Sequence, residues 1–405
     1  MTKYRILLVS SHPVQYAAPI YRWMAQHPKL EIFVAYCSLY GAEALFDQGF
    51  GQEITWDVSL LNGYPWVQLE NKSPMASLNR FFGLINPSIW KHIRSEKYDA
   101  VIAYTGYNYF TFWIAYFATK FSQKRFLFST DAHEIAPHGS PKLKSLLKQV
   151  VLPKIFALAD KVIVSSSLGV DYVKSLGIPE ADIVLTPFAV DNSWWIEQSK
   201  NVNKFEVRST WGIPEAAKII LFCAKLIPRK RPQDLLQAFA KADIPDSYLV
   251  FAGDGEMRHE LEAKARMIGI ADKVRFLGFV NQSQLPAVYT SADVFTFCSD
   301  NEPFGVVVNE AMLCGCPVVV SNRVGARLDL VREGETGFIY TCGDVDALAK
   351  VLTKILLDNE LRNKMSIAAI ERMKSWSPRE NVEAIVEALD MLVPGKSTSV
   401  SAQSD

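Results

Sequence analysis

Residues 219–256 read IILFCAKLIPRKRPQDLLQAFAKADIPDSYLVFAGDGE. Two short apolar runs, Ile219–Cys223 and Tyr248–Ala252, bracket a segment with apolar residues at helical spacing, Gln233–Ala242. Runs this short and apolar on both faces fit strands buried inside a parallel sheet, and a helix between two of them is a βαβ crossover. The stretch also carries two features at strand ends. Lys225, Arg229, Lys230 and Arg231 put four cations within seven residues after the first strand, and Gly253-Asp254-Gly255-Glu256 makes a tight loop after the second. Open α/β sheets bind ligands at the carboxyl ends of their strands. A solvated loop is the alternative account of such a charge run.

The same alternation continues in both directions. Toward the carboxyl end follow Val274–Leu277, Val294–Phe297, Val318–Val320 and Gly337–Tyr340, with a helical pattern at Met257–Ile268. Toward the amino end lie Tyr4–Val9, Ile32–Tyr36, Ala100–Tyr104, Arg125–Ser129, Val162–Ser165 and Ile183–Leu185. The polar stretch 191–213 separates the two series. The pattern predicts an α/β chain of two doubly wound, Rossmann-like domains facing each other across a cleft. Residues 1–190 form the first, 191–213 the linker and approach, and 214–375 the second. A final helix in 376–393 is expected to pack back on the first domain, and 394–405 is a disordered tail.

Composition restricts the function classes. The 405 residues include 49% hydrophobic and 21% charged types, as in a globular protein with a full core. Net charge is zero, so nothing global attracts nucleic acid. Six scattered cysteines make no disulfide framework, and Cys314 and Cys316 read as small buried thiols in a reducing compartment. The opening run is too short for a signal peptide, and Tyr109–Ala118 is about half of the ~20 residues a spanning helix needs. A cytoplasmic location follows as an expectation, with contact at the inner membrane face as the alternative.

The densest segment is EPFGVVVNEAMLCGCPVVVS, residues 302–321. Pro303 suits a first helical turn and Gly305 permits close backbone approach, so a helix from Pro303 through Met312 would offer its amino end to a pyrophosphate. Glu302 and Glu310 would then meet different parts of one ligand, a sugar hydroxyl and a ribose diol. A Glu that only complements the helix dipole is the plainer account.

In these features the chain resembles the retaining glycosyltransferases of family 4, which have the two-domain GT-B fold. The resemblance rests on Glu-x7-Glu at Glu302 and Glu310, on Gly253–Glu256, on Leu277–Val280 and on Lys225 with Lys230. It also rests on the run from Ala311 to Val319, on Gly325 and on Thr336–Phe338. It covers most of the second domain in the family's order. It implies that Glu302 contacts donor-sugar hydroxyls and that Glu310 binds the ribose. Backbone at Phe304, Gly305 and Val306 would hold sugar and phosphates, and backbone near Val280 would read the base. Lys225 and Lys230 would stabilise the departing diphosphate, with Arg229, Gly253 and Asp254 on the same edge. Many members have Arg where this chain has Lys225, which keeps the charge but not the bidentate fork.

The first domain would serve the acceptor. Its opening loop, Ser10 to Tyr16, lacks the glycines of a dinucleotide fingerprint, which counts against a dehydrogenase. It resembles a His-Pro-Val-Gln-Tyr variant of the family loop, making His12, Gln15 and Tyr16 acceptor-side candidates; a simple start of a helix is the alternative. His133 matches a family histidine beside the donor sugar, and His138 is a second candidate. Residues 141–158 alternate Lys with Leu, Val and Ile, as in a plain surface helix or a basic amphipathic helix on a membrane.

The expected reaction is transfer of a sugar from a UDP- or GDP-sugar, with retention, to a glycan, lipid-linked or small-molecule acceptor, as in polysaccharide biosynthesis. No metal or other cofactor is expected, because Asp344-Val-Asp346 opens a helix and reads as a cap. The rivals are an epimerase or phosphorylase of the same fold, a non-catalytic sugar-nucleotide binder, and a solute-binding protein.

Overall fold

The computed structural model describes residues 3–42, 45–47, 49–135 and 142–394. The expected tail, apart from Pro394, lies outside them, as does His138. Among the described residues fifteen strands are present: β1 Tyr4–Ser10, β2 Leu30–Tyr36, β3 Leu45–Asp47, β4 Gln52–Ile54, β5 Trp66–Gln68, β6 Ala100–Tyr104, β7 Arg125–Thr130, β8 Lys161–Val164, β9 Ile183–Leu185, β10 Lys218–Cys223, β11 Ser247–Ala252, β12 Val274–Gly278, β13 Val294–Phe297, β14 Val318–Ser321 and β15 Gly337–Tyr340.

Two parallel sheets hold thirteen of them. The first runs β5-β2-β1-β6-β7-β8-β9 and the second β12-β11-β10-β13-β14-β15. Each reverses direction beside its first strand, β1 against β6 and β10 against β13, which are the topological switch points of doubly wound sheets. The inner strands are buried on both faces, so their residues read as continuous apolar runs. Phe112 packs against Phe126 and Phe128 in the first core, with ring centroids 5.6 and 5.1 Å away. Phe251 meets Phe222 and Phe276 in the second, at 5.5 and 5.0 Å.

The chain divides into two compact units. One comprises residues 1–43, 59–188 and 378–405; the other comprises 44–58 and 189–377. The units change at 188/189, and the first is interrupted by 44–58. Residues 44–58, with the antiparallel pair β3–β4, pack with the second unit.

The polar stretch 191–213, expected as linker and approach, is helical. It forms helices Asn192–Lys200 and Lys204–Thr210 within the second unit. Its Asp and Asn residues are helix caps: Asp191 accepts from Trp194 N at 3.1 Å and Asn203 from Phe205 N at 3.2 Å. Arg208 on the second helix is buried and fully engaged. It donates to the carbonyls of Ser291, Glu215 and Ala217 at 2.9 to 3.0 Å and to Asp293 at 3.0 Å.

The last helix, Pro378–Leu392, groups with the first unit. Tyr4 donates to Asp390 at 2.6 Å, Lys29 pairs with Asp390 at 3.1 Å, and Asn381 donates to Pro187 O at 2.9 Å.

Candidate functional site

The sheet order of the second unit sets its strand-end loops side by side. Along the carboxyl edge stand, in turn, the Phe279–Val280 loop after β12, the Gly253–Glu256 loop after β11, the Lys225–Arg231 loop after β10 and the Ser299–Val306 loop after β13. The last two flank the switch point. These loops contain every donor-side residue singled out in the sequence except Glu310, which lies on the helix that follows.

The Lys225–Arg231 and Ser299–Val306 loops are joined by charge. Lys230 Nζ is hydrogen-bonded to Glu302 Oε2, and Arg229 Nη1 stands 3.5 Å from the same oxygen. Desolvation lowers the Lys230 pKa, and the carboxylate of Glu302 offsets part of that loss. Beneath the pair, Lys230 lies 4.7 Å from the centroid of the Phe297 ring. Ser299 Oγ donates to Arg229 O at 3.2 Å, and Asp300 N donates to the same carbonyl at 3.0 Å, so the backbone closes the connection.

The expected helix start at Pro303 is not found. Helix Val307–Leu313 begins four residues later. Two causes are visible. Glu302 is held extended against the loop after β14, with Gly325 N donating to Glu302 O at 2.9 Å and Ala326 N to Phe304 O at 2.8 Å. Gly305 then takes φ +98°, a left-handed conformation outside any right-handed helix. Gly325 is required for this stitching, because a Cβ there would fall 1.9 Å from Pro303 O. The Phe304–Val306 backbone is thus a fixed turn on the edge rather than part of a helix.

Glu310 is half-buried on that short helix and accepts a hydrogen bond from Tyr289 at 2.9 Å. Burial raises its carboxyl pKa to about 8, against the opposing pull of the Tyr289 hydroxyl. Tyr289 is a partner that the sequence did not reveal. Asp254 caps its own loop, accepting from Gly255 N at 2.9 Å, and pairs with Arg258 at 2.7 Å. Gly253 N donates to Gly278 O at 2.7 Å, tying the loops after β11 and β12 together.

Lys225 has an unforeseen partner. Its Nζ meets both carboxylate oxygens of Asp47, at 2.7 and 2.8 Å, and lies 4.9 Å from the Phe50 ring centroid. Asp47 is ionised well into acid. Its burial is outweighed by the Lys225 hydrogen bond and by the amides of Phe50 and Gly49. The segment after β3 continues over the next loop. Phe50 packs on Phe279 at 4.9 Å, Asn281 donates to Thr55 O at 2.7 Å, and Ser283 N donates to Asp57 at 3.1 Å. No sequence signal marks Asp47, since its partner lies 178 positions away.

In the first unit, His12 follows β1 and His133 follows β7, on the carboxyl edge of that sheet. His12 Nδ1 is 3.0 Å from Ser11 Oγ, its ring is 6.2 Å from that of Tyr40, and burial lowers its pKa. Tyr16 stands just before helix Ala17–Gln26 and packs on Phe188 at 4.9 Å. Gln15 and His133 are half-buried. Among the described residues, no cluster of three or more His, Cys, Asp or Glu could hold a metal. Asp344 caps helix Val345–Leu357, accepting from Ala347 N at 2.8 Å, and Asp346 pairs with Lys241. Cys314 is half-buried and Cys316 buried.

Residues 203–372 match the family described as glycosyl transferases group 1. An uncharacterized glycosyltransferase of Methanocaldococcus jannaschii is 34% identical over 238 residues, covering 57% of this chain and 60% of that protein. N-acetyl-alpha-D-glucosaminyl L-malate synthase of Bacillus anthracis is 28% identical over 279 residues, covering 68% and 70%. The similarity to the first of these curated relatives thus spans less than two thirds of its length. Among solved structures, HepE of Anabaena in complex with UDP superposes with a TM-score of 0.73 at 19% identity, over 96% of this chain and 100% of that one. At this identity the likeness concerns the fold, which is GT-B.

Proposed function

We propose that the protein is a retaining, metal-independent glycosyltransferase that takes its sugar from a UDP- or GDP-sugar. The observation that carries this reading is the contiguous edge of the second unit, where Lys225, Lys230, Glu302 and the Phe304–Val306 turn converge beside the switch point. The matched region and the UDP-bound structural neighbour point the same way.

In this reading the nucleotide lies along the edge. Its base faces the backbone near Val280, and its ribose diol reaches Glu310. The diphosphate meets Lys225 and Lys230, and the sugar meets Glu302 and the Phe304–Val306 backbone. Phosphate displaces the Asp47 carboxylate from Lys225, one anion for another. As the bond from the anomeric carbon to the phosphate oxygen breaks, negative charge grows on that oxygen. The two ammonium groups are already in place to stabilise it. The acceptor hydroxyl enters on the same face and its proton passes to the leaving phosphate, so configuration is kept. The family resemblance assigns His133 to the donor sugar and His12, Gln15 and Tyr16 to the acceptor. That acceptor is a glycan, a lipid-linked sugar or a small molecule.

The test is a thermal-shift screen against UDP-, GDP- and ADP-sugars, followed by turnover assays. One base class alone should stabilise the protein. Glu302→Ala and Lys230→Ala should each lower transfer roughly 100-fold or more, the scale of losing a group that stabilises transition-state charge. Unchanged turnover in both variants would refute the site. Conversion of the donor to an epimer without acceptor would replace the reaction by epimerisation.

A further inference from the structure

Helix Lys142–Phe156 has its apolar side on the wrong face for a surface helix. Leu152 and Phe156 turn inward and join the first core. Leu143, Leu146, Leu147, Val150 and Val151 remain in solvent, at 72%, 59%, 59%, 62% and 45% exposure. Their spacing is i, i+3, i+4, i+7 and i+8. At 3.6 residues per turn they occupy an arc of about 140°, roughly opposite the two anchors. A helix built only to cover the core would place such residues beneath it. Five large apolar side chains in one exposed row mark a surface made to be covered.

The charge of the segment indicates what covers it. Residues 142–159 contain Lys142, Lys144, Lys148 and Lys154 and no carboxylate, in a chain whose net charge is zero. Lys154 is exposed and Lys148 half-buried. By helical spacing Lys154 falls in the same arc as the apolar row, and Lys148 lies beside it. A second copy docked by two-fold symmetry would lay lysines against lysines, which disfavours self-association. Apolar side chains bordered by ammonium groups fit a boundary that is hydrocarbon within and anionic at its surface. No helix among the described residues is long and apolar enough to cross a membrane.

We propose that this helix lies flat on an anionic lipid bilayer, with the 143–151 row in the acyl boundary and Lys148 and Lys154 at the headgroups. It is an anchoring surface, separate from the loops assigned to the donor, and it stands or falls independently of that assignment.

The experiment is sedimentation of the full-length protein with phosphatidylcholine vesicles, with and without about 30% phosphatidylglycerol. Partitioning should be roughly tenfold stronger on the anionic vesicles and should weaken in about 0.5 M salt. Leu146→Glu with Leu147→Glu should reduce it roughly tenfold, leaving the melting temperature and UDP-sugar binding unchanged. Lys148→Glu with Lys154→Glu should remove the preference for anionic lipid. Absence of partitioning, or equal partitioning on both vesicle types, would overturn the proposal. So would a dimer in light scattering that the Leu146→Glu, Leu147→Glu variant dissociates, since the row would then belong to a second copy.

Discussion

Glu310 is a carboxylic acid that holds its proton near neutral pH, because the site that surrounds it solvates the anion poorly. A ribose diol donates two hydrogen bonds, and only the ionised form accepts both fully. Donor binding should therefore pull the Glu310 pKa down and release a proton. The sign follows from linkage: affinity rises with pH while the free protein is still protonated and levels off above about 8. Between pH 6 and 8 the gain should approach tenfold per pH unit at most, since release of one proton changes the binding free energy by no more than about 1.4 kcal/mol for each pH unit. A UDP-sugar suits the measurement because its diphosphate does not titrate in this range. Calorimetric titration should show the slope in the wild type and none in Glu310→Gln. A pH-independent wild type would mean that the ribose does not select the anion. The acidity of this residue was not legible in the sequence. The spacing from Glu302 marked Glu310 as a ligand candidate, but its burial and the hydrogen bond from Tyr289, 21 positions earlier on the preceding helix, follow only from how the helices pack.

Single elements show where sequence signals end. The twelve strands expected from apolar runs are present, with ends moved by two residues at most, because buried parallel strands leave an uninterrupted apolar signature. The three-residue strands β3, β4 and β5 left none. In 191–213 the Asp and Asn residues that suggested a linker cap two helices, since the side chains that stop helices also start them. Arg208 turns that difference into a stability prediction. Its guanidinium satisfies three carbonyls and Asp293 in a buried site, so Arg208→Met should cost about 3–5 kcal/mol in urea unfolding of the second unit. A cost below about 1 kcal/mol would place these helices outside the cooperative core. The 44–58 segment carries a different expectation. If Asp47 occupies the phosphate position on Lys225, Asp47→Ala should tighten UDP about two- to fivefold, the equivalent of losing one partly screened ion pair. Weaker binding in a direct titration would show instead that Asp47 supports the site.

At the scale of the molecule, chain order and unit membership disagree. The first unit draws its last helix from residues 378–392, after the whole second unit has been made. That helix buries Val382, Ile385, Val386, Ala388 and Leu389. At about 1.5–3 kcal/mol for each of the four larger side chains, the helix contributes on the order of 10 kcal/mol before chain entropy is set against it. That gross figure matches the whole net stability of an ordinary domain. The first unit should consequently be unable to complete its fold until residue 392 is available, whereas the second is complete at 377. A chain ending at Ser377 should lose the first unit selectively. Limited proteolysis should cut within 59–188 and leave a protected fragment spanning 189–377, and the melting curve should lose one transition. An intact, protease-resistant first unit in the shortened chain would show that the sheet and its own helices suffice. The returning helix would then have another role.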